Sequence, residues 1–171
     1  MGAKQLGTAL ICASAAACGG GGGISGTALG TPYQVSDSFF VRGGEGTVTF
    51  FLSNDDNLCA KGHTSGYLQN VQLVLVGVGI AGGGALEPGD YTVAASGPPG
   101  EKLAAAQAVT LAICEFGSPA TATSGTVTLR SAGPTFDGSV DLGFPGGGRL
   151  TGSFVADECG GPFGLEFQYC E

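Results

Sequence analysis

The chain has no tryptophan, one histidine and one methionine among its 171 residues, and only 12% of its residues are charged. With a single histidine, His63 in the polar stretch Lys61-Gly62-His63-Thr64-Ser65, any serine-type triad would depend on that one ring. The Gly-x-Ser-x-Gly turn that presents a nucleophilic serine is also missing. Basic residues are scarce, six against fourteen acids and nowhere clustered, which disfavours nucleic acid as a partner. Without tryptophan, and with Tyr33, Tyr67, Tyr91 and Tyr169 dispersed, the aromatic platforms common in sugar-binding sandwiches find little support. No apolar run reaches the roughly 20 residues that span a bilayer.

What is present begins at the N-terminus. Residues 1–17 carry a basic start at Lys4, an apolar stretch from Leu6 to Ala17 and small residues at its end, the three parts of a secretory signal. Ala15-Ala16-Ala17-Cys18 resembles the bacterial lipobox, although leucine is usual where Ala15 stands. The resemblance implies removal of residues 1–17 and acylation of Cys18 with palmitate-type chains, so the expected partner is a membrane, reached through an N-terminal lipid. An ordinary signal peptidase reading Ala15-x-Ala17 would cut the same bond and leave a chain that is simply secreted. Gly19, rather than aspartate, follows Cys18, which in Gram-negative sorting implies the outer membrane.

Cleavage leaves 154 residues, enough for one domain with a real core. Five basic residues then face fourteen acidic ones, a formal charge of −9. Anionic headgroups would repel such a surface, so attachment must come from acyl chains. Residues 18–30, opening with Gly19 to Gly23, read as a flexible Gly-rich tether, and residues 31–171 as the folded domain. In an oxidising compartment the remaining Cys59, Cys114, Cys159 and Cys170 suggest two disulfides. Three connectivities are open. Cys59–Cys114 with Cys159–Cys170 is favoured, because the last two flank a short Gly/Pro-bearing loop. Their scatter does not match zinc-ligand spacing, and neither metal nor cofactor is expected.

From Thr31 onward short strands alternate with glycine-bearing turns. Thr47 to Leu52 places Val48, Phe50 and Leu52 on one face, and Val71 to Val78 is apolar at nearly every position, as in a strand covered on both sides. Tyr91 to Ala94 follows a Pro88-Gly89-Asp90 turn, and Ala108 to Ile113 leads to Cys114. Lys102 to Ala108, rich in alanine, is ambiguous between helix and strand. The expected fold is an all-β antiparallel sandwich, with a β-barrel as the alternative.

The meander from Ser124 to Ala156 is specific enough to assign a register. Val127, Leu129, Val140, Leu142, Phe144, Leu150 and Phe154 point inward. Val127 then opposes Val140, Leu129 opposes Gly138, and Arg130 falls across from Asp137 as an opposite-charge pair. After Pro145-Gly146-Gly147-Gly148 the third strand is expected to match Val140 with Phe154 and Leu142 with Gly152.

Ala16-Ala17-Cys18-Gly19 with its glycine tract, Leu58-Cys59-Ala60, Pro88-Gly89-Asp90-Tyr91, Ser124 to Leu129, and Gly152 to Ala156 shortly before Cys159 resemble the small lipoproteins abundant in myxobacteria. That resemblance implies an exported β-rich domain in a Gram-negative envelope and carries no activity with it.

Two rival chemistries are weighed. Asp137 and Asp141 share a strand face but lie four residues, about 13 Å, apart, beyond the roughly 5–9.5 Å between glycosidase carboxyls. Asp157 and Glu158 point to opposite faces. The loop Ser53-Asn54-Asp55-Asp56-Asn57 has oxygen ligands of the kind calcium takes, but it lacks the alternate spacing and glycine of calcium loops and suits ordinary turns. No catalytic residues are assigned. The expected function is that of a non-enzymatic envelope lipoprotein with a structural or interaction role. The alternative is a periplasmic or surface binding module for a glycan or calcium, using loops near Asp55 and Asp56.

Overall fold

The computed structural model describes residues 23–44, 46–63, 71–112 and 115–160. Apolar and polar side chains alternate along most of these segments, and a period of two makes strands. They are β1 (Ser25–Ala28), β2 (Thr31–Gln34), β3 (Asp37–Arg42), β4 (Val48–Ser53), β5 (Val71–Ile80), β6 (Gly89–Val93), β7 (Lys102–Ala112), β8 (Glu115–Phe116), β9 (Ala120–Thr121), β10 (Ser124–Leu129), β11 (Thr135–Gly143) and β12 (Arg149–Glu158). A short helix, α1 (Leu58–His63), and a 3-10 turn at Pro145–Gly147 complete the described elements. Lys61 to His63, the first part of the stretch expected as loop, therefore lies inside α1, and Thr64 and Ser65 lie outside the described residues.

Eight strands close a ring in the order β10, β6, β7, β5, β4, β3, β12, β11, with β11 hydrogen-bonded back to β10. Six junctions are antiparallel. The other two are short parallel seams, Thr92 and Val93 of β6 beside Leu103 and Ala104 of β7, and Asp157 and Glu158 of β12 beside Phe39 and Phe40 of β3. Closure removes the free edges that an open sheet would present. Of the two all-β architectures expected, the barrel is the one this pairing describes, and the two-sheet sandwich is not established. The β1–β2 hairpin is added on β12, and β8 and β9 on β7.

The barrel interior is filled rather than hollow. Phe40, Phe50, Phe136 and Phe154 meet at tilted or edge-on angles, with ring centroids 4.7 Å apart for Phe40–Phe136, 5.3 Å for Phe50–Phe136 and 5.0 Å for Phe50–Phe154. Four such rings need small neighbours. Ala104, Ala106 and Ala108 of β7 supply them in the same core, so the ambiguous alanine-rich segment is a strand whose alternate methyls line the wall. A second cluster, Phe39, Leu58, Val71, Leu73, Leu111 and Cys159, lies outside the barrel around α1. Hence the nearly continuous apolar run of β5: Val74, Val76 and Val78 belong to the inner core, Val71 and Leu73 to the outer one.

The β10–β11 hairpin has the expected register, with Val127 opposite Val140 and Leu129 opposite Gly138. All seven residues assigned inward in the meander are buried. The third strand differs. Val140 pairs with Gly152, Leu142 with Leu150 and Gly138 with Phe154, two residues away from the expected match. The connection is two residues shorter than supposed, seven residues rather than nine between Leu142 and its partner. Gly146 and Gly147 take positive φ (76° and 82°), and the Phe144 amide closes on the Gly148 carbonyl at 2.8 Å. A slip of two keeps every side chain on its face, so the inward assignments survive it. The expected tether also changes: Ile24 is fully buried, Ser25–Ala28 pair with β2, and Ser25 and Gly26 pair with β12 as well, so the folded domain begins before Thr31. The rest of the tether, with the leader and Cys18, lies outside the described residues.

Candidate functional site

The most elaborated feature outside the barrel is the layer that α1 forms on its wall. At the start of the helix, the Leu58 amide donates to Asp37 Oδ2 at 3.0 Å, drawing the helix onto the first residue of β3. Leu58 itself is fully buried. One residue on, Cys59 is bonded to Cys159, with 5.8 Å between the α-carbons. Cys159 follows β12, and its amide donates to the Phe40 carbonyl at 2.8 Å, prolonging the parallel seam with β3. The disulfide thus clasps the outer helix to the seam where β12 meets β3.

This pairing corrects the favoured connectivity of Cys59–Cys114 with Cys159–Cys170. Sequence proximity suggested a local loop for Cys159, but parallel pairing of β12 with β3 carries it to the outer cluster, where Leu58 sets Cys59 down. Cys114 and Cys170 lie outside the described residues.

The loop considered for calcium is engaged with its own protein. Ser53 is fully buried, and its Oγ accepts from the Asp55 amide at 2.9 Å. Asn54 bridges to Gln72 by two bonds: its Oδ1 accepts from the Gln72 amide at 2.7 Å and its own amide donates to the Gln72 carbonyl at 3.2 Å. Asp55 forms an ion pair with Lys61 at 2.5 Å, and Asp56 is exposed. Asn57 takes φ 60°, a left-handed turn into α1. Among the described residues no group of three or more His, Cys, Asp or Glu is arranged to hold a metal ion. The His63 side chain is outside the described structure.

The carboxylates tested as catalytic pairs are each matched to a separate partner. Arg130 meets Asp137 through two nitrogens at 3.1 and 2.5 Å, the pair expected from the hairpin register. Arg149 does the same for Asp141 at 2.7 and 2.6 Å. In both pairs the guanidinium hydrogen bonds hold the carboxyl below the usual aspartate range. Asp157 accepts from the Thr135 hydroxyl at 2.7 Å. Glu158 pairs with Arg42 at 3.1 Å, and that guanidinium also lies 5.2 Å from the centre of the Phe40 ring. Lys102 is 3.9 Å from Glu87 and donates to the Pro88 carbonyl. Each lysine and arginine among the described residues therefore has an acidic partner. The surplus negative charge has no cationic patch beside it.

Two tyrosines have structural tasks that the sequence reading missed. Tyr33, buried, hydrogen-bonds the Leu52 carbonyl, tying β2 to the end of β4. Burial pushes its phenol well above the usual range. Tyr91 turns its hydroxyl back on Glu87, donating to the carbonyl at 2.8 Å and accepting from the amide at 3.2 Å. Burial raises this phenol as well. Pro88-Gly89-Asp90-Tyr91 contained the signal, since the turn brings a tyrosine over the residue four before it. Tyr67 and Tyr169 are outside the described residues.

Comparison with known proteins finds no matching family model, no matching curated protein and no matching solved structure. Among the described residues no helix is long and apolar enough to cross a membrane.

Proposed function

We propose that the chain is an exported lipoprotein of a Gram-negative cell envelope, of the kind the myxobacterial resemblance suggests, acylated on Cys18 and held at the outer membrane. Its barrel acts there as a non-enzymatic structural or interaction domain. The observation that carries the reading is the Cys59–Cys159 disulfide, a covalent clasp that joins residues 100 apart in sequence. Such bonds persist in oxidising compartments and are rare in the cytosol, which agrees with the apolar leader and the small-residue cleavage site before Cys18. Support for the non-enzymatic part comes from the carboxylates, since Asp55, Asp137 and Asp141 are each committed to a cation of the same chain.

Intact mass of the native protein from the membrane fraction tests the reading. The expected species begins at residue 18 and carries acyl and glyceryl mass on that residue. A detergent-independent soluble product with a free Cys18 thiol would remove the anchor from the account. Disulfide mapping on the same sample should return the Cys59–Cys159 peptide. If both remaining cysteines are oxidised within one chain, elimination joins Cys114 to Cys170.

A further inference from the structure

We propose that the barrel wall centred on β12 is its membrane-facing side: Thr151, Ser153 and Val155 lie against the headgroup layer of the bilayer that holds the Cys18 acyl chains. The wall formed by β7 faces away. This rests on the anchor proposed above and adds to it an orientation and a contact surface.

The argument starts where the described chain begins. Ser25 and Gly26 pair with Thr151 and Leu150, and a side chain added at Gly152 (φ +143°) would come within 2.6 Å of the Ile24 α-carbon. The chain therefore joins the barrel in the plane of the sheet beside Gly152, while Gly23 is exposed. Only Gly19 to Gly23 separate Ile24 from Cys18. Six residue steps reach at most roughly 20–22 Å even when fully extended. An eight-stranded ring is itself roughly 16 Å across its backbone and about 25 Å with side chains, from strand spacing and tilt. The tether is thus no longer than the barrel is wide. It emerges at β12, and β7 lies four strands away in either direction around the ring.

The chemistry of that wall suits a headgroup layer. The outward side chains of β12 between Arg149 and Asp157 are Thr151, Ser153 and Val155, short and uncharged, and Val155 is the exposed large hydrophobic residue among those described, at 46%. On neighbouring β11 the carboxylates of Asp137 and Asp141 are already neutralised by Arg130 and Arg149. Hydroxyls there can donate to phosphate and ester oxygens, and no uncompensated carboxylate sits between Thr151 and Val155 to repel them.

Because the chain contains no tryptophan, a single introduced one is its only indole. Ser153→Trp and Gln107→Trp, the latter on the exposed side of β7, are prepared in the full acylated chain. Both are reconstituted in phosphatidylcholine vesicles bearing a headgroup-linked dansyl acceptor. Energy transfer is expected to be several times greater from position 153 than from position 107. Equal transfer, or more from 107, overturns the proposal. The same variants on a Cys18→Ser background should show no transfer. Persistent transfer there would sink the anchor while leaving the contact wall standing. Since an indole itself favours interfaces, hydroxyl-radical footprinting of the unsubstituted acylated protein gives a second readout. Val155 should lose reactivity on vesicles while Leu103 on β7 keeps its own, and an unprotected Val155 counts against the wall.

Discussion

Gly138 and Gly133 lie five residues apart and illustrate how differently one residue type is used. A Cβ at Gly138 would stand 2.6 Å from the Thr128 carbonyl oxygen and 2.8 Å from Phe154 Cζ, whereas one at Gly133 would meet nothing within 4 Å. Phe154 lies over its cross-strand partner because that partner has no side chain. Gly138→Ala should therefore destabilise by about 1–3 kcal/mol, the cost of overpacking against backbone that cannot yield. Gly133→Ala should be neutral or stabilise by up to about 1 kcal/mol through the unfolded chain. Denaturant melts of the two variants check the contrast. The ion pairs make a second prediction. Asp137 and Asp141 are held below the usual range by hydrogen bonds from Arg130 and Arg149. Their contribution is complete above the unfolded carboxyl value of about 3.9 and disappears as pH falls through the lower folded values. Both pairs are exposed, so salt screens them. Carboxyl NMR titration should show Asp137 returning toward the ordinary range in Arg130→Met, with Asp141 unmoved, and both shifts shrinking in molar salt. Arg130–Asp137 was legible in the sequence because one tight hairpin places both partners, seven positions apart. Arg149–Asp141 was not, since it depends on the register of the returning strand.

The elements divide along the same line of locality. Alternation located β4, β10 and β11, a nearly continuous apolar run located β5, and in the β10–β11 hairpin alternation set the register residue for residue. Where two left-handed glycines tighten the next turn by two residues, the period of two is blind to the slip, and β12 shifted. Nothing local marks α1: its six residues hold one large apolar side chain, Leu58, and the helix forms because Leu58 has an outer cluster to enter and Asp37 accepts its amide. Its stability is therefore tertiary, and the disulfide should dominate it. Reduction, or Cys159→Ser, should cost about 2–5 kcal/mol. The loss should fall unevenly. In native-state hydrogen exchange, amides of α1 and of the adjoining end of β3 should lose most of their protection, while β5, β7, β11 and β12 away from the seam keep theirs. A uniform loss across the barrel would mean that α1 and the barrel form one cooperative unit.

At the scale of the whole molecule, the ring depends on two parallel seams, β6 with β7 and β12 with β3, each registered over two residue pairs. Four of the six antiparallel junctions join consecutive strands, where alternation and turns can suggest them, but the β5–β7 and β6–β10 pairings and the two parallel seams leave no periodic trace in their strands. That is why an all-β fold was legible while its closure was not. The two seams also differ in reach: β6 and β7 are close in the chain, whereas β3 and β12 are separated by more than a hundred residues. Loop closure over that span costs entropy before any contact rewards it, and folds dominated by such pairings are slow. The Cys59–Cys159 bond sits at this distant seam and closes a loop of the same size in the unfolded chain. In the chain-entropy account a loop of about 100 residues is worth about 4.7 kcal/mol. If the distant seam is formed in the folding transition state, most of that difference belongs to the folding rate. Stopped-flow refolding should then be faster for the oxidised protein than for the reduced one, with unfolding rates little changed. The opposite division, equal folding and accelerated unfolding on reduction, would place the closing of β3 on β12 after the barrier and make the clasp a lock on a barrel already assembled.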